Sequence, residues 1–286
     1  MARNRRKRDR IAVKVDTGLA ELVPDPDRPR AYTLWLEGTP QSHVDLDDPT
    51  YLEFEYVRRM ASAIDLVAPR RQPIRVLHLG GGGLTLARYV AVTRSGSEQR
   101  VVEVDAALVD LVRKSLPWPA HYRLRVRVGD AREVLATMRD DSYDVIIGDV
   151  FISACTPAHL TTVEFASEVA RVLRPGGMYL VNIADGPPMS YTRRQVATVR
   201  EVFGETCLIA EGKLLRGRRY GNVVLAASQT ALPVPELTRR AAGDWFPARV
   251  LYGEELDSFI GGAQSIADRH ALPSPPPPEG FFDQAM

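Results

Sequence analysis

The sequence is poor in cysteine, and this scarcity argues against two common ways of holding a chain together. Only two cysteines occur among 286 residues, Cys155 and Cys207, and neither lies in a C-x-x-C pair. A disulfide framework and a cysteine-based zinc site are therefore not expected. The five histidines show no metal-ligand spacing either. We predict a protein without a metal, working in a reducing compartment, the cytoplasm.

Long apolar runs are also missing. No stretch approaches the roughly 20 apolar residues that span a bilayer, and the first ten residues, "MARNRRKRDR", lack the apolar core of a signal peptide. The net charge of +1 gives no reason to expect a nucleic acid. The basic arm at residues 1–10 could contact phosphate, but a disordered, solvated arm is the expected structure. We predict neither membrane nor nucleic acid as a partner.

The patterns that are present in the sequence predict a small β unit followed by one large α/β domain. Residues 11–48 contain short strand patterns separated by turn residues, which is typical of a small antiparallel β domain. Residues 49–230 alternate apolar strand runs with helical patterns, which predicts a Rossmann-like, doubly wound and mostly parallel sheet. A helical extension is expected over residues 231–270, followed by a proline-rich disordered tail over 271–286.

The first helix of the α/β region is expected to begin at residue 49. Asp48 suits the N-cap position and Pro49 suits the first helical position. Apolar residues then recur at helical spacing as far as Ile64. This amphipathic helix would join the β unit to the α/β region.

Four glycines, Gly80 to Gly83, follow the strand pattern "RVLHL" and precede a helix. Glycine permits close approach of a ligand and positive φ angles, and a helix N-terminus presents free N–H groups. Gly80 and Gly82 match two positions of G-x-G-x-x-G, but Thr85 replaces the third glycine, so the dinucleotide fingerprint is incomplete. A turn that serves only helix–sheet packing is the alternative interpretation.

Acidic residues follow the next two strand patterns. Glu103 lies about 20 residues beyond the glycines, where an acid can accept hydrogen bonds from ribose hydroxyls. Asp105 is expected to cap the helix that starts at Ala106. Asp130 can accept a hydrogen bond from an adenine amine or cap its own helix, and the sequence leaves both open. Together with the glycines, these strand ends predict an adenosine-containing ligand above the sheet.

A further acid, Asp149, follows the apolar strand pattern "YDVIIG" at the same edge of the predicted sheet. Its neighbours Val150 and Phe151 are apolar, and apolar surroundings raise the pKa of a carboxyl group. Such a carboxylate suits a base that takes a proton from an amine. A loop aspartate that stabilises its own turn is the alternative.

The order of these motifs resembles a known family. The segments "LHLGGGG", "EVD", "GDA", "YDVIIGD" and "LRPGG" are similar to the class I S-adenosylmethionine-dependent methyltransferase fold. The segment "LEGTPQSHVDLDDPTYLEFEYV" resembles the polyamine aminopropyltransferases, or spermidine synthases, and the resemblance extends over about residues 30–230. It implies decarboxylated S-adenosylmethionine or S-adenosylmethionine as cosubstrate, a small-molecule amine as acceptor, and a homodimer.

The resemblance also implies roles for individual residues. It assigns one set to the cosubstrate: Gln41, Gly80, Gly82, Gly83, Glu103, Asp130 and Ala131. In this set the glutamine contacts the sulfonium nucleoside, the glutamate binds the ribose, and the last two residues contact adenine. Asp149 takes the position of the catalytic base. Tyr51 matches a tyrosine of the amine and aminopropyl site, and His43, near other candidate polar residues, is a second candidate substrate contact.

Two acids of the family's pattern are absent from this chain. Gly83 stands where the family has an aspartate that holds the cationic aminopropyl end, and Ile152 stands where the gatekeeping loop has its second acid. Because an unpaired buried ammonium is costly, these changes are expected to weaken recognition of putrescine. Three other acids could replace them: Asp45, Asp47 and Asp185.

Three functions follow from these observations. In the first, a spermidine synthase-like transferase, Asp149 deprotonates an amine that attacks the carbon next to the sulfonium. The second is a methyltransferase on the same scaffold, because without an acid at position 83 that loop does not repel a carboxylate. The third is a non-catalytic nucleoside-binding homologue.

Overall fold

The computed structural model describes residues 9–282, which form two β-sheets. The smaller sheet is antiparallel, with its strands in chain order: β1 (Ile11–Val15), β2 (Gly18–Pro24), β3 (Ala31–Leu36) and β4 (Thr39–Asp45). This confirms the small β unit expected before the α/β region. The predicted disordered arm lies outside the described residues over positions 1–8, and Arg10 forms an ion pair with Glu21 of β2.

The larger sheet contains eight strands: β5 (Arg75–Leu79), β6 (Glu98–Glu103), β7 (Leu124–Val128), β8 (Tyr143–Gly148), β9 (Leu173–Asp185), β10 (Glu205–Ala210), β11 (Gly221–Ser228) and β12 (Arg249–Leu251). Their order across the sheet is β12-β10-β11-β9-β8-β5-β6-β7. The strands from β9 to β7 pair in parallel, and β11, β10 and β12 add antiparallel pairings at the other side. The predicted mostly parallel sheet is therefore confirmed.

Helices cover both faces of this sheet: α1 (Glu55–Ile64), α2 (Thr85–Thr93), α3 (Ala106–Ser115), α4 (Ala131–Ala136), α5 (Val163–Val172), α6 (Ser190–Arg200), α7 (Gly212–Leu215), α8 (Val234–Ala242) and α9 (Glu254–Ile260). One core contains Phe165 of α5 and Val196 of α6, and the other contains Met60 of α1 and Leu237 of α8. None of the helices in the described part of the chain is long and apolar enough to cross a bilayer. The segment 231–270, predicted to be helical, also contributes the edge strand β12.

The order of the strands reverses next to β5. The chain passes from β5 to β6 and β7 on one side, and then returns to β8 and β9 on the other. The loops that follow β5 and β8 diverge at this point, and such a crevice is the usual ligand site of an open α/β sheet. Two backbone hydrogen bonds hold the strand ends together, from Gly80 N to Val102 O and from Asp149 N to Leu79 O, each 2.9 Å.

The first helix begins later than the sequence predicts. It starts at Glu55, with Phe54 as its N-cap residue, and not at Pro49. The carboxylate of Asp48 instead accepts hydrogen bonds from the backbone N–H and the hydroxyl of Thr50, which forms a local turn. Aspartate often closes such turns with its own side chain, so the residues that fit the N-cap pattern form a turn here and do not start a helix.

Asp105 connects the two sheets. Its carboxylate caps α3 by accepting from Leu108 N at 2.7 Å, as the sequence predicts. It also accepts from the backbone N–H and the hydroxyl of Thr17, in the turn between β1 and β2. Burial opposes ionisation of this carboxyl group, but the hydrogen bonds outweigh it and lower its pKa.

The C-terminal segment differs from the disordered tail that its proline content predicts. As far as Phe282 it lies against the α/β domain, and residues 283–286 are outside the described part of the chain. Ser274 is buried, and its hydroxyl accepts a hydrogen bond from Thr156 N at 2.8 Å. The ring of Phe281 lies 5.1 Å from the ring of Tyr220. Side-chain contacts therefore hold an extended segment that has little secondary structure of its own.

Arg94, at the end of α2, is 2% exposed and provides a test of the fold. Its guanidinium donates to backbone carbonyls between α1 and β5: those of Ile64, Asp65, Ala68, Pro69 and Gln72. We expect Arg94→Met to lower the free energy of unfolding in urea by about 3 kcal/mol or more, because it leaves several carbonyls without a donor. The exposed Arg70 is the control, and Arg70→Met should change stability by no more than about 0.5 kcal/mol. Equal stability of the two variants would contradict this role for Arg94.

Candidate active site

A cavity of about 330 Å³ opens above the carboxyl ends of β5, β6, β7 and β8. It brings together seven residues that the sequence assigned to a site: Gln41, Gly80, Gly82, Glu103, Asp130, Ala131 and Asp149. These residues come from several separate loops and from β4 of the small sheet. The cavity therefore lies at the reversal of strand order and is partly covered by the small sheet.

The glycine loop after β5 is packed too closely for side chains. Gly80 has φ +92°, and a Cβ built on it would lie 2.0 Å from the carbonyl oxygen of Asp149. Gly82 has φ +46°, and its Cβ would lie 2.5 Å from Oγ of Ser42. Any larger residue would meet both a steric and a conformational obstacle. Glycine at these positions is therefore required by the packing of the loop itself.

Gly83 is not among the residues that line the cavity, although the sequence assigned it to the cosubstrate. Its backbone N–H donates to Oγ of Ser42 at 2.9 Å, and a Cβ at this position would lie 2.7 Å from Val44. Position 83 therefore faces strand β4. Leu84 follows with φ +66° and is buried in the core that the small sheet shares with α2 and α3.

Glu103 lines the cavity from the end of β6. One carboxylate oxygen accepts from Gly81 N at 2.9 Å and, more weakly, from Gly82 N at 3.4 Å. The other accepts from Asp105 N at 3.1 Å. A carboxylate has about four lone-pair positions, so these bonds leave capacity for a hydroxyl donor. Glu103 thus fixes the glycine loop and also faces the cavity.

Asp130 caps α4 and faces the cavity at the same time. One oxygen accepts from Arg132 N at 2.8 Å and Glu133 N at 3.1 Å, and the other lies 2.7 Å from Nε2 of His159. Burial opposes ionisation, but these hydrogen bonds lower the pKa of Asp130 overall. The cap is established by this geometry, and the contact with adenine stays a prediction. The adjacent Ala131 also lines the cavity.

Asp149 lies at the centre of the cavity and accepts two hydrogen bonds from neutral groups. The amide Nδ2 of Asn182 donates at 2.8 Å, and the hydroxyl of Tyr56 donates at 3.3 Å. Burial raises the pKa of Asp149 above its usual value, and the two hydrogen bonds offset part of this rise. The carboxylate is therefore held in a fixed orientation by neutral donors, and its raised pKa makes it a better proton acceptor near neutral pH.

Tyr56 and Asn182 were not found from the sequence. In the sequence, Tyr56 fits only the apolar spacing of the first helix, and Asn182 lies within the apolar strand pattern "GMYLVNIAD". In the structure Asn182 is 4% exposed near the carboxyl end of β9. A polar side chain in such a strand needs a partner, because an unpaired buried amide is costly. An asparagine within a buried strand pattern was therefore the signal in the sequence that could have identified Asn182.

Tyr51 and His43, the predicted substrate contacts, do not line the cavity. Ser42 and Val44 of β4 face the glycine loop, and side chains alternate along a strand, so His43 points to the opposite side. There its ring lies 5.6 Å from the ring of Tyr51. The two residues form a separate cluster, in which His43 contacts Asp25 and Tyr51 donates to Glu53.

The three acids that could replace the missing ones also lie elsewhere. Asp45 pairs with Arg28, Asp47 pairs with Arg30, and Asp185 accepts from the backbone and hydroxyl of Thr192. The cavity does contain another acid, Glu55, which lies 3.1 Å from Arg219. Within residues 9–282, no group of three or more His, Cys, Asp or Glu side chains is placed to hold a metal ion.

Comparison with known proteins agrees with this geometry. The Spermine/spermidine synthase domain matches residues 53–211. A polyamine aminopropyltransferase of Vibrio vulnificus is 27% identical over 72% of this chain, and the match covers 66% of that protein, just under two thirds of its length. A second polyamine aminopropyltransferase, from Hyperthermus butylicus, is 28% identical over 76% of this chain and 70% of its own. These named relatives are transferases.

Solved structures extend the comparison. A probable spermidine synthase from Corynebacterium glutamicum is 35% identical, with a TM-score of 0.83 over 90% of this chain and 95% of that one. The human Methyltransferase-like protein 13 in complex with SAH is 19% identical, with a TM-score of 0.55 over 77% of this chain and 98% of that one, and shares the fold. The domain match spans more than half of this chain. The chain belongs to the spermine/spermidine synthase family.

Proposed function

We propose that the protein transfers the aminopropyl group of decarboxylated S-adenosylmethionine to a small amine. The observation that carries this proposal is the position of Asp149, whose carboxylate lies in the cavity beside the glycine loop. Its raised pKa suits a base, and Tyr56 and Asn182 orient it with neutral donors. The aminopropyltransferases among the relatives support the same reaction.

In the proposed reaction, Asp149 takes a proton from the nitrogen of the acceptor. The nitrogen lone pair then attacks the carbon next to the sulfonium, on the side away from sulfur. A carbon–nitrogen bond forms, the carbon–sulfur bond breaks, and its electron pair stays on sulfur as a neutral thioether. Because the reacting sulfonium loses its charge, the reaction needs no acid to protonate the leaving group.

The nucleoside half of the cavity would hold the cosubstrate. In this proposal Glu103 accepts from the ribose hydroxyls, Asp130 accepts from the adenine amine, Ala131 packs against the adenine ring, and Gln41 contacts the sulfonium end. Support comes from their common position around one cavity and from the spare acceptor capacity of both carboxylates. Gly80 and Gly82 allow the ligand to approach the backbone.

The cosubstrate preference tests this assignment directly. Four acids line the cavity, whereas the lining Arg219 already contacts Glu55 and Glu211. We expect decarboxylated S-adenosylmethionine to bind at least about tenfold more tightly than S-adenosylmethionine, because the extra carboxylate would meet a negative lining. Isothermal titration of both compounds measures the difference. Glu103→Gln should weaken both to a similar extent, and tighter binding of S-adenosylmethionine would contradict aminopropyl transfer.

Replacement of the base tests the chemical step. Asp149→Asn keeps the size of the side chain but removes the proton acceptor, so we expect kcat to fall by about 10² to 10⁴. The dissociation constant of the cosubstrate should stay within a few fold of the wild-type value, because the nucleoside contacts come from other residues. Release of the thioether nucleoside measures turnover, and titration measures binding. A variant with unchanged turnover would exclude Asp149 as the base.

The pH dependence tests how Asp149 is activated. The base must be ionised, so activity should fall as pH decreases through its pKa, which burial has raised. Tyr56→Phe removes a donor to the carboxylate and should raise that pKa further, so the loss of activity should occur at higher pH. Tyr89→Phe, which removes a hydroxyl bound to Asp65, is the matched control. Superimposable profiles for Tyr56→Phe and wild type would exclude this role for Tyr56.

Methyl transfer from S-adenosylmethionine is the second candidate. The observation behind it is that position 83, a glycine that faces β4, contributes no acid to the lining of the cavity. An eEF1A lysine and N-terminal methyltransferase of Danio rerio is 26% identical over 42% of this chain and 19% of its own. Incubation with a methyl-labelled donor and an amine distinguishes the two reactions, since only methyl transfer places the label on the acceptor. A homologue without activity would give no product from either donor.

We further propose that the protein is a cytoplasmic homodimer that uses its small sheet for association. Strand β1 is an edge strand, and it exposes Ile11 and Val13, each 39% accessible. An exposed apolar edge strand readily pairs with another copy. Light scattering should therefore give twice the mass of 31.7 kDa, and Val13→Glu should shift the protein toward the monomer. Lys14→Glu, at a neighbouring exposed position, is the control, and a monomeric wild type would contradict the proposal.

A further inference from the structure

The part of the cavity beyond Asp149 has an apolar and largely aromatic wall. It includes Phe151, Ile152, Tyr220, Phe281 and Phe282. Tyr220 precedes β11, which is three positions from β5 in the sheet. At about 4.8 Å between strands this separation is roughly 14 Å. Tyr220, and with it Phe281, therefore lies away from the glycine loop, on the side where an acceptor would approach Asp149.

The C-terminal segment is attached to this wall by specific contacts. Ser274 N donates to Thr156 O at 3.1 Å, and Thr156 N donates to the hydroxyl of Ser274 at 2.8 Å. This pair joins the segment to the loop that carries Ile152. Farther along, the ring of Phe281 lies 5.1 Å from Tyr220 and 5.0 Å from Phe282, in edge-to-face geometry. Edge-to-face contacts between aromatic rings are stabilising, so they favour one arrangement of the rings in this wall.

The charged groups near this wall neutralise each other. Glu55, the acid on the acceptor side besides Asp149, lies 3.1 Å from Arg219, and Arg219 also pairs with Glu211. Arg59, 3% exposed, interacts electrostatically with Glu55, and its guanidinium has no hydrogen-bond partner within residues 9–282. Among the described residues, Glu55 therefore has guanidinium partners, and Asp149 is the other carboxylate that lines this side of the cavity.

We propose that the acceptor carries a single reactive amine and an apolar end that packs against Phe281, Phe282 and Tyr220. This inference rests on the aminopropyl transfer proposed above and names the class of acceptor. Among the residues that the structure describes on this side of the cavity, a second ammonium would lose its hydration at an apolar wall and find no carboxylate besides Asp149 and the paired Glu55, which is unfavourable. An alkyl or aryl group gains from the same desolvation. The amine nitrogen gives one proton to Asp149 and forms the new carbon–nitrogen bond as the carbon–sulfur bond breaks.

A series of acceptors with similar reach and different ends tests the proposal. With decarboxylated S-adenosylmethionine as donor, kcat/KM is measured for pentylamine, phenylethylamine, putrescine and 4-aminobutyrate by release of the thioether nucleoside. We expect at least one of the two apolar amines to exceed putrescine by tenfold or more. The highest value with putrescine would overturn the inference, and so would the highest value with 4-aminobutyrate, which would point to Arg219 as a carboxylate partner.

Variants of the wall provide the second measurement. Phe281→Ala combined with Phe282→Ala should raise KM for the preferred apolar amine about tenfold and change kcat little. Trp245→Ala, which removes an aromatic side chain that is 91% exposed, should leave both values unchanged. Equal KM values in the double variant and the wild type would overturn the inference. Asp283 lies outside the described residues and is tested by a separate variant. If Asp283→Asn abolished the reaction with putrescine, the inference of an apolar acceptor would also be overturned.

The outcomes separate the two levels of the proposal. Thioether release with putrescine as the best acceptor would support aminopropyl transfer and reject the apolar acceptor. If no amine gives thioether release, aminopropyl transfer itself is rejected, and the inference that rests on it is rejected as well. Release with an apolar amine above putrescine supports both.

Discussion

The close contact between the backbones of Gly80 and Asp149 determines the geometry of the whole site. A Cβ at position 80 would lie 2.0 Å from the carbonyl oxygen of Asp149, so the loops after β5 and β8 meet without any side chain between them. The hydrogen bond from Asp149 N to Leu79 O keeps the two strand ends in register. The glycine loop and the carboxylate of Asp149 are therefore neighbours because of main-chain packing. In the proposed reaction, a donor nucleoside held by the loop would have its reactive end beside Asp149.

The same loop is fixed from its other side by the small sheet. Gly83 N donates to Ser42, the hydroxyl of Thr85 donates to the carbonyl of His43 at 2.9 Å, and Leu84 is buried despite its positive φ. Strained backbone of this kind persists only where the surroundings hold it. The packing also explains position 83 in physical terms. A side chain there would collide with Val44, so an acid at this position would require β4 to move away from the loop.

The sequence predicted which strand ends meet, because alternating strand and helix patterns determine which loops lie at one edge of a parallel sheet. Gly80, Glu103 and Asp149 are together in one cavity for this reason. The positions of Tyr51 and His43 were not predictable in the same way. They depend on which face of β4 meets the loop and on a first helix that begins at Glu55, and both are results of tertiary packing. The residues of the local turn at Asp48 also fit the pattern of a helix start, so the later start of the first helix was not predictable from them.

The two halves of the cavity are built from different parts of the chain. The half proposed for the donor comes from the ends of β5, β6 and β7, whereas the half proposed for the acceptor comes from the loop after β8, from the residues before β11, and from the C-terminal segment. Asp149, at the end of β8, lies between them. Side chains of the acceptor half can therefore change without disturbing the bonds that Glu103 makes to the glycine loop. Under the proposed function, the fold would keep its donor and its base while the apolar wall, with Ile152 in place of an acid, selects a different acceptor.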